Sequence, residues 1–109
     1  MKKLILGACL LISMNALALD LSNDQVANPV QDATNITASI GARGAILLSS
    51  VTCRQSGTAD HFFLTCSVQR RLTYQDGNIK DEGFGCMMEY SLNKSGQDYT
   101  RDTWECPIL

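Results

Sequence analysis

The side chains able to do chemistry are few: five cysteines, one histidine and eleven carboxylates in 109 residues. Four of the cysteines, Cys53, Cys66, Cys86 and Cys106, lie in the C-terminal two thirds. No C-x-x-C pair occurs, so a thiol oxidoreductase lacks its usual motif. A structural zinc site wants four nitrogen or sulfur ligands in close pairs, which is also missing. An even set of cysteines in a small exported domain reads instead as two disulfides. His61 follows Asp60 in a turn-like stretch. A Cys–His nucleophile needs a free thiol, so His61 is expected to be an exposed turn residue. Asp81, Glu82, Glu89, Asp102 and Glu105 could supply an acid–base pair, but nothing in their spacing brackets a pocket, and they read as solvated surface. Cys86-Met87-Met88 with Trp104 offers soft ligands for copper. Strand alternation separates Met87 from Met88, and packing of Met88 on Trp104 is the expected role. No catalytic residue, metal or cofactor is expected, and the chain does not read as an enzyme.

The elements that hold these residues are legible between 45 and 107. Phe62, Leu64, Cys66, Val68, Leu72 and Tyr74 alternate with Thr65, Ser67, Gln69, Arg71 and Thr73. A period of two over thirteen residues is a half-buried strand. Gln75-Asp76-Gly77 suits a type I turn followed by a left-handed residue, which closes a hairpin with Tyr74 opposite Asn78. That register sets Val68 against Phe84, Cys66 against Cys86, Leu64 against Met88 and Phe62 against Tyr90. It also places Arg70, the one charge on the apolar face, opposite Glu82, where a cross-strand ion pair at the sheet rim is expected. A loop at 58–61 lets Cys53 face Cys66, and Ser95-Gly96 turns the chain so that Cys86 meets Cys106 and Met88 meets Trp104. The expected fold is therefore all-β with room for a short N-terminal helix: a small antiparallel meander of four strands, near 45–54, 62–74, 78–92 and 99–107, or a small barrel.

All four cysteines then share one row across one face. Neighbouring strands are about 4.8 Å apart, and a disulfide tolerates Cα separations up to about 7 Å. Linking Cys53 to Cys86 spans about 10 Å. Linking Cys66 to Cys86 leaves Cys53 and Cys106 about 14 Å apart unless the sheet closes on itself. Cys53–Cys66 and Cys86–Cys106 are the pairs that remain. On the polar face Phe63 and Met87 stand out, with Arg71 and Glu89, as an expected protein-binding patch or a surface covered by the N-terminal arm.

The N-terminus carries an address. Lys2-Lys3, the apolar run Leu4–Met14 and Ala16-Leu17-Ala18 have the order of a bacterial-type signal peptide covering residues 1–18, with Leu19 as the mature start. The run is shorter than the roughly 20 residues of a spanning helix. Leu6-Gly7-Ala8-Cys9 is not a lipid-attachment box, because cleavage there leaves almost no apolar run upstream. Removal of residues 1–18 leaves 91 residues, with 7 basic side chains against 11 acidic ones. A net charge of −4 without a basic patch argues against nucleic acid and anionic membranes. Residues 19–35 read as a flexible arm, with a short strand near 35–41 suggested by Ile36, Ala38 and Ile40, and residues 36–109 as the disulfide-linked β domain. The apolar face needs a cover, from residues 19–44, from curling of the sheet or from a second copy in a homodimer. The functional expectation is a periplasmic or secreted bacterial binding protein with a protein partner, such as an inhibitor or immunity protein. The alternative is an accessory subunit of a secretion, pilus or cell-surface assembly.

Overall fold

The structure is a computed structural model that describes residues 10–15 and 21–108. Lys2-Lys3, Cys9 and the Ala16-Leu17-Ala18 site lie outside the described residues. In chain order the elements are β1 (Leu10–Asn15), β2 (Gln25–Val26), α1 (Pro29–Ser39), β3 (Ile46–Gly57), β4 (His61–Thr73), β5 (Ile79–Leu92) and β6 (Tyr99–Ile108). All strands join one antiparallel sheet in the order β1-β3-β4-β5-β6-β2. Five of them run six residues or more, one more than the four-strand meander expected, and they curl into a half-barrel. The two-residue β2 adds a short rung to β6.

The register follows the alternation. Phe62 pairs with Tyr90, Leu64 with Met88, Cys66 with Cys86, Val68 with Phe84 and Arg70 with Glu82. Cys53 pairs with Cys66, Val51 with Val68 and Leu47 with Leu72. The β4–β5 hairpin closes as its loop chemistry requires: Tyr74 N–H bonds Asn78 C=O at 2.9 Å, Gly77 N–H bonds Tyr74 C=O at 2.9 Å, and Gly77 sits at φ +89°. Only glycine reaches that conformation without cost. Both disulfides form as expected, Cys53–Cys66 with Cα atoms 4.0 Å apart and Cys86–Cys106 at 4.3 Å. Two disulfides mark an oxidising, extracytoplasmic location. No described helix is long and apolar enough to cross a membrane.

The cover over the apolar face is α1, where the sequence suggested an arm and then a short strand. The boundary drawn between residues 35 and 36 falls inside this helix. Asn28 caps it by accepting the Gln31 N–H at 3.1 Å, and Pro29 occupies the first turn, where its missing N–H costs nothing. Val30, Ala33, Ile36, Thr37 and Ile40 recur every three or four residues and face the sheet. The alternation of Ile36, Ala38 and Ile40 was too short to override that longer period. Ala33, Ile36, Val51, Leu64, Val68, Met88 and Tyr90 form the main core. Each large apolar side chain buried there contributes about 1.5–3 kcal/mol relative to exposure. The face is thus covered within one chain. Helix α1 packs mainly over β3 and β4 and barely over β6. Trp104, the register partner of Met88, consequently remains 38% exposed instead of packing in the core as expected.

Two ionic locks fasten the helix to the sheet. At its C-terminal end, the Arg70 Nη1 donates to the Ala38 carbonyl at 2.7 Å, while Nε donates to Glu82 at 2.8 Å. The guanidinium also lies 4.7 Å from the centre of the Phe84 ring. A cation there satisfies a terminal carbonyl and complements the helix dipole. Arg70 is buried, so the pair is an anchor rather than the rim contact expected from sequence. At the other end, Arg101 Nη1 donates to both Asp32 oxygens at 3.0 Å, and Tyr90 Oη donates to Asp32 at 2.7 Å. Burial, and then the Asp32 acceptor and its charge, push the Tyr90 phenol far up, so it stays a donor.

Candidate functional site

With the inner face filled, functional chemistry has to be sought on the outer face and along the sheet edges. On the outer face the odd residues of β4 meet the odd residues of β5: Phe63 opposes Glu89, Thr65 opposes Met87, and Arg71 opposes Asp81. Phe63 and Met87 are therefore diagonal neighbours and, with Glu89, do make one half-buried patch. Arg71 does not belong to it. It stands eight residues along β4 from Phe63, about 26 Å at strand rise, and binds Asp81 through Nε at 2.7 Å and Nη2 at 2.9 Å. That exposed pair raises Arg71 and lowers Asp81 from their ordinary values through the hydrogen bond between them. Between these ends lies a shallow hollow of about 390 Å³, lined by Thr52, Arg54, Thr65, Ser67, Gln69 and Phe84. Phe84 and Gly85 form its β5 side, and next to them the Gln69 side chain lies across Gly83, where a Cβ would sit 2.6 Å from its amide nitrogen.

At the Phe63 end, three chemically able groups that are far apart in the sequence converge. His61 Nε2 contacts Glu89 Oε2, and Ser91 Oγ donates to Asp102 Oδ2. Thr103 Oγ1 donates to Glu89 Oε1 at 3.2 Å. One ligand atom each from His61, Glu89 and Asp102 lies within 4.8 Å of the other two. His61 is held by a tight loop: Thr58 N–H bonds the His61 carbonyl at 2.9 Å, and Leu92 N–H bonds Asp60 C=O at 2.8 Å. A Cβ on Gly57, at φ +117°, would lie 2.7 Å from the His61 carbonyl, so the loop requires glycine there. The Phe63 ring stands edge-on to the imidazole, 5.8 Å between centres.

Asp102 reaches this cluster because β6 bulges. Glu89 pairs with Thr103, but Tyr90 pairs with Arg101, so Asp102 is the extra residue between them. An unbroken register would aim Asp102 at the core opposite Tyr90 and Arg101 at solvent. The bulge exchanges them, turning Arg101 inward to Asp32 and Asp102 outward to Ser91. The His61–Glu89 contact was readable as a diagonal cross-strand neighbour in the expected register. The position of Asp102 was not.

The edges differ. Along β3 the rung beyond Val51 to Ile46 is taken by residues 10–15, with Leu10 opposite Val51 and Asn15 opposite Ile46. Beside that edge Ile46 is 50% and Leu48 42% exposed. Beyond Thr100, β6 carries no further strand on its outer side among the described residues.

Comparison of the chain with family models, curated proteins and solved structures gives no match.

Proposed function

We propose that this is an exported, non-enzymatic binding protein that holds an extracytoplasmic protein partner, such as a hydrolase or toxin that it inhibits, through the edge of β3. The observation that carries the reading is the strand seated on that edge. Residues 10–15 belong to the stretch read as a signal peptide, so export processing at Ala16-Leu17-Ala18 removes them and opens the edge. Tyr74 and Asn78 form a hydrogen-bonded pair, as do Thr58 and His61. Counting from these, Leu47, Ser49 and Val51 turn their N–H and C=O groups away from β4 toward the edge. An extended partner segment can take these groups while Ile46 and Leu48 supply apolar contact. The disulfides and the covered core keep the edge rigid, which reduces the ordering cost of binding.

A second reading, an accessory subunit of a larger periplasmic or cell-surface assembly, is favoured by the outer side of β6 beyond Thr100, where no strand is seated among the described residues. A sheet open at both sides can link two neighbours. The experiment is affinity capture from a native extract with the exported chain and with an Ile46→Lys/Leu48→Lys variant. Lysines on an edge strand discourage strand addition. The exported chain should begin at Leu19 and retain one stoichiometric partner, which the variant loses. Retention of that partner by the variant would move the interface to β6 and support the assembly reading. An isolated chain that binds nothing and turns over a substrate would overturn both.

A further inference from the structure

We propose that His61, Glu89 and Asp102 form a divalent-cation site on the outer face and that the cation it takes is zinc. The site stands apart from the β3 edge and does not depend on it. Three ligand atoms, one imidazole nitrogen and two carboxylate oxygens, come from three adjacent strands and lie within 4.8 Å of one another. Zinc bound at about 2.0–2.2 Å holds its ligands about 3–3.5 Å apart. His61 and Glu89 are already in contact. That contact has to open to this spacing and the Asp102 carboxylate has to close in, by side-chain rotations that the exposed positions of His61 and Asp102 permit.

The surroundings suit a cation. Glu89 and Asp102 bring two negative charges together, and a divalent ion offsets both. It replaces the hydrogen bond between His61 and Glu89 without loss of either ligand. The Thr103 hydroxyl bonds Glu89 Oε1, the oxygen that does not contact His61, and steadies that carboxylate, the role that a second layer of hydrogen bonds plays around bound metals, while Ser91 holds Asp102 beside it. His61 is 52% exposed in its side chain, so the remaining coordination position faces water. An imidazole with two carboxylates selects zinc over magnesium and calcium, which prefer oxygen ligands throughout. Two backbone devices serve this geometry: the Gly57 loop sets His61, and the bulge at Asp102 aims its carboxylate outward, as bulges beside functional sites do.

The test is calorimetric titration of the purified, disulfide-intact chain with Zn²⁺ alone, followed in parallel by the NMR signals of the His61 ring. One equivalent should bind and shift those signals, and Mg²⁺ should do neither. His61→Gln and Asp102→Asn should each weaken zinc by at least about tenfold. Glu105→Gln, on the same strand but outside the cluster, should leave affinity unchanged. Circular dichroism of each variant should match the parent, since all three positions are exposed. Absence of heat and of ring shifts up to about 1 mM zinc would overturn the proposal. So would zinc binding undiminished in both ligand variants, or Mg²⁺ binding as tightly as zinc.

Discussion

Arg70 shows how one residue can be named correctly from sequence and still be misplaced in energy. The alternation picked it out as the only charge on the apolar face and paired it with Glu82, as found. Its third bond, to Ala38 C=O, links it to a helix that the alternation does not contain. Glu82 feels burial, which raises its carboxyl, but the Arg70 hydrogen bond and charge, helped by Lys80, more than offset this and hold it below the ordinary glutamate value. A carboxylate with a lowered folded-state value stabilises the fold above its unfolded value, and that contribution fades as pH falls through the folded one. Arg70→Met should therefore cost about 2–3 kcal/mol at neutral pH. The gap between parent and variant should narrow as pH falls through the ordinary glutamate range and below it. Urea titrations across that range measure it, and a gap independent of pH would deny Glu82 its part.

At the scale of elements, the helix is the piece whose attachment decides whether the sheet has a core. Its N-terminal turn is tied by Asp32, which serves Arg101 and Tyr90 together. The Arg101 side chain is 3% exposed, so removal of its partner leaves an uncompensated buried charge. Asp32→Ala should destabilise by about 3–5 kcal/mol. Adding Arg101→Met should recover much of that loss, because the stranded charge goes with it. Hydrogen exchange should report the damage locally, with amides of 32–39 losing protection before those of β4 and β5. Equal loss across the sheet would mean that helix and strands form one cooperative unit.

For the whole molecule, each disulfide lies within one half of the sheet, and among the described residues the halves meet through the β4–β5 ladder, the helix and the β2–β6 pair. Each closes a loop of 13 or 20 residues, and a link of that span contributes about 3 kcal/mol. Cleavage between Tyr74 and Asn78, followed by denaturation without reductant, should release two fragments, each with one intact disulfide. Mass mapping checks this. Fragments that stay joined until reduction would rule out the pairing Cys53–Cys66 and Cys86–Cys106.

The register of β3, β4 and β5, both disulfides and the β4–β5 turn were legible because each depends on local information. Alternation over thirteen residues, a three-residue loop ending in Gly77 and cysteines placed symmetrically about turns leave one consistent pairing. The helix left a fainter trace in Asn28-Pro29 and in the recurrence of Val30, Ala33, Ile36, Thr37 and Ile40, which polar neighbours masked. What joins helix to sheet had no local signal at all. Asp32 meets Tyr90 across 58 residues and Arg101 across 69, and no periodicity records a contact of that range. The bulge at Asp102 belongs with them. A strand pattern alone aims Asp102 inward, and only the presence of Asp32 under the sheet makes it favourable for Arg101 to take that place and for Asp102 to turn out toward His61 and Glu89.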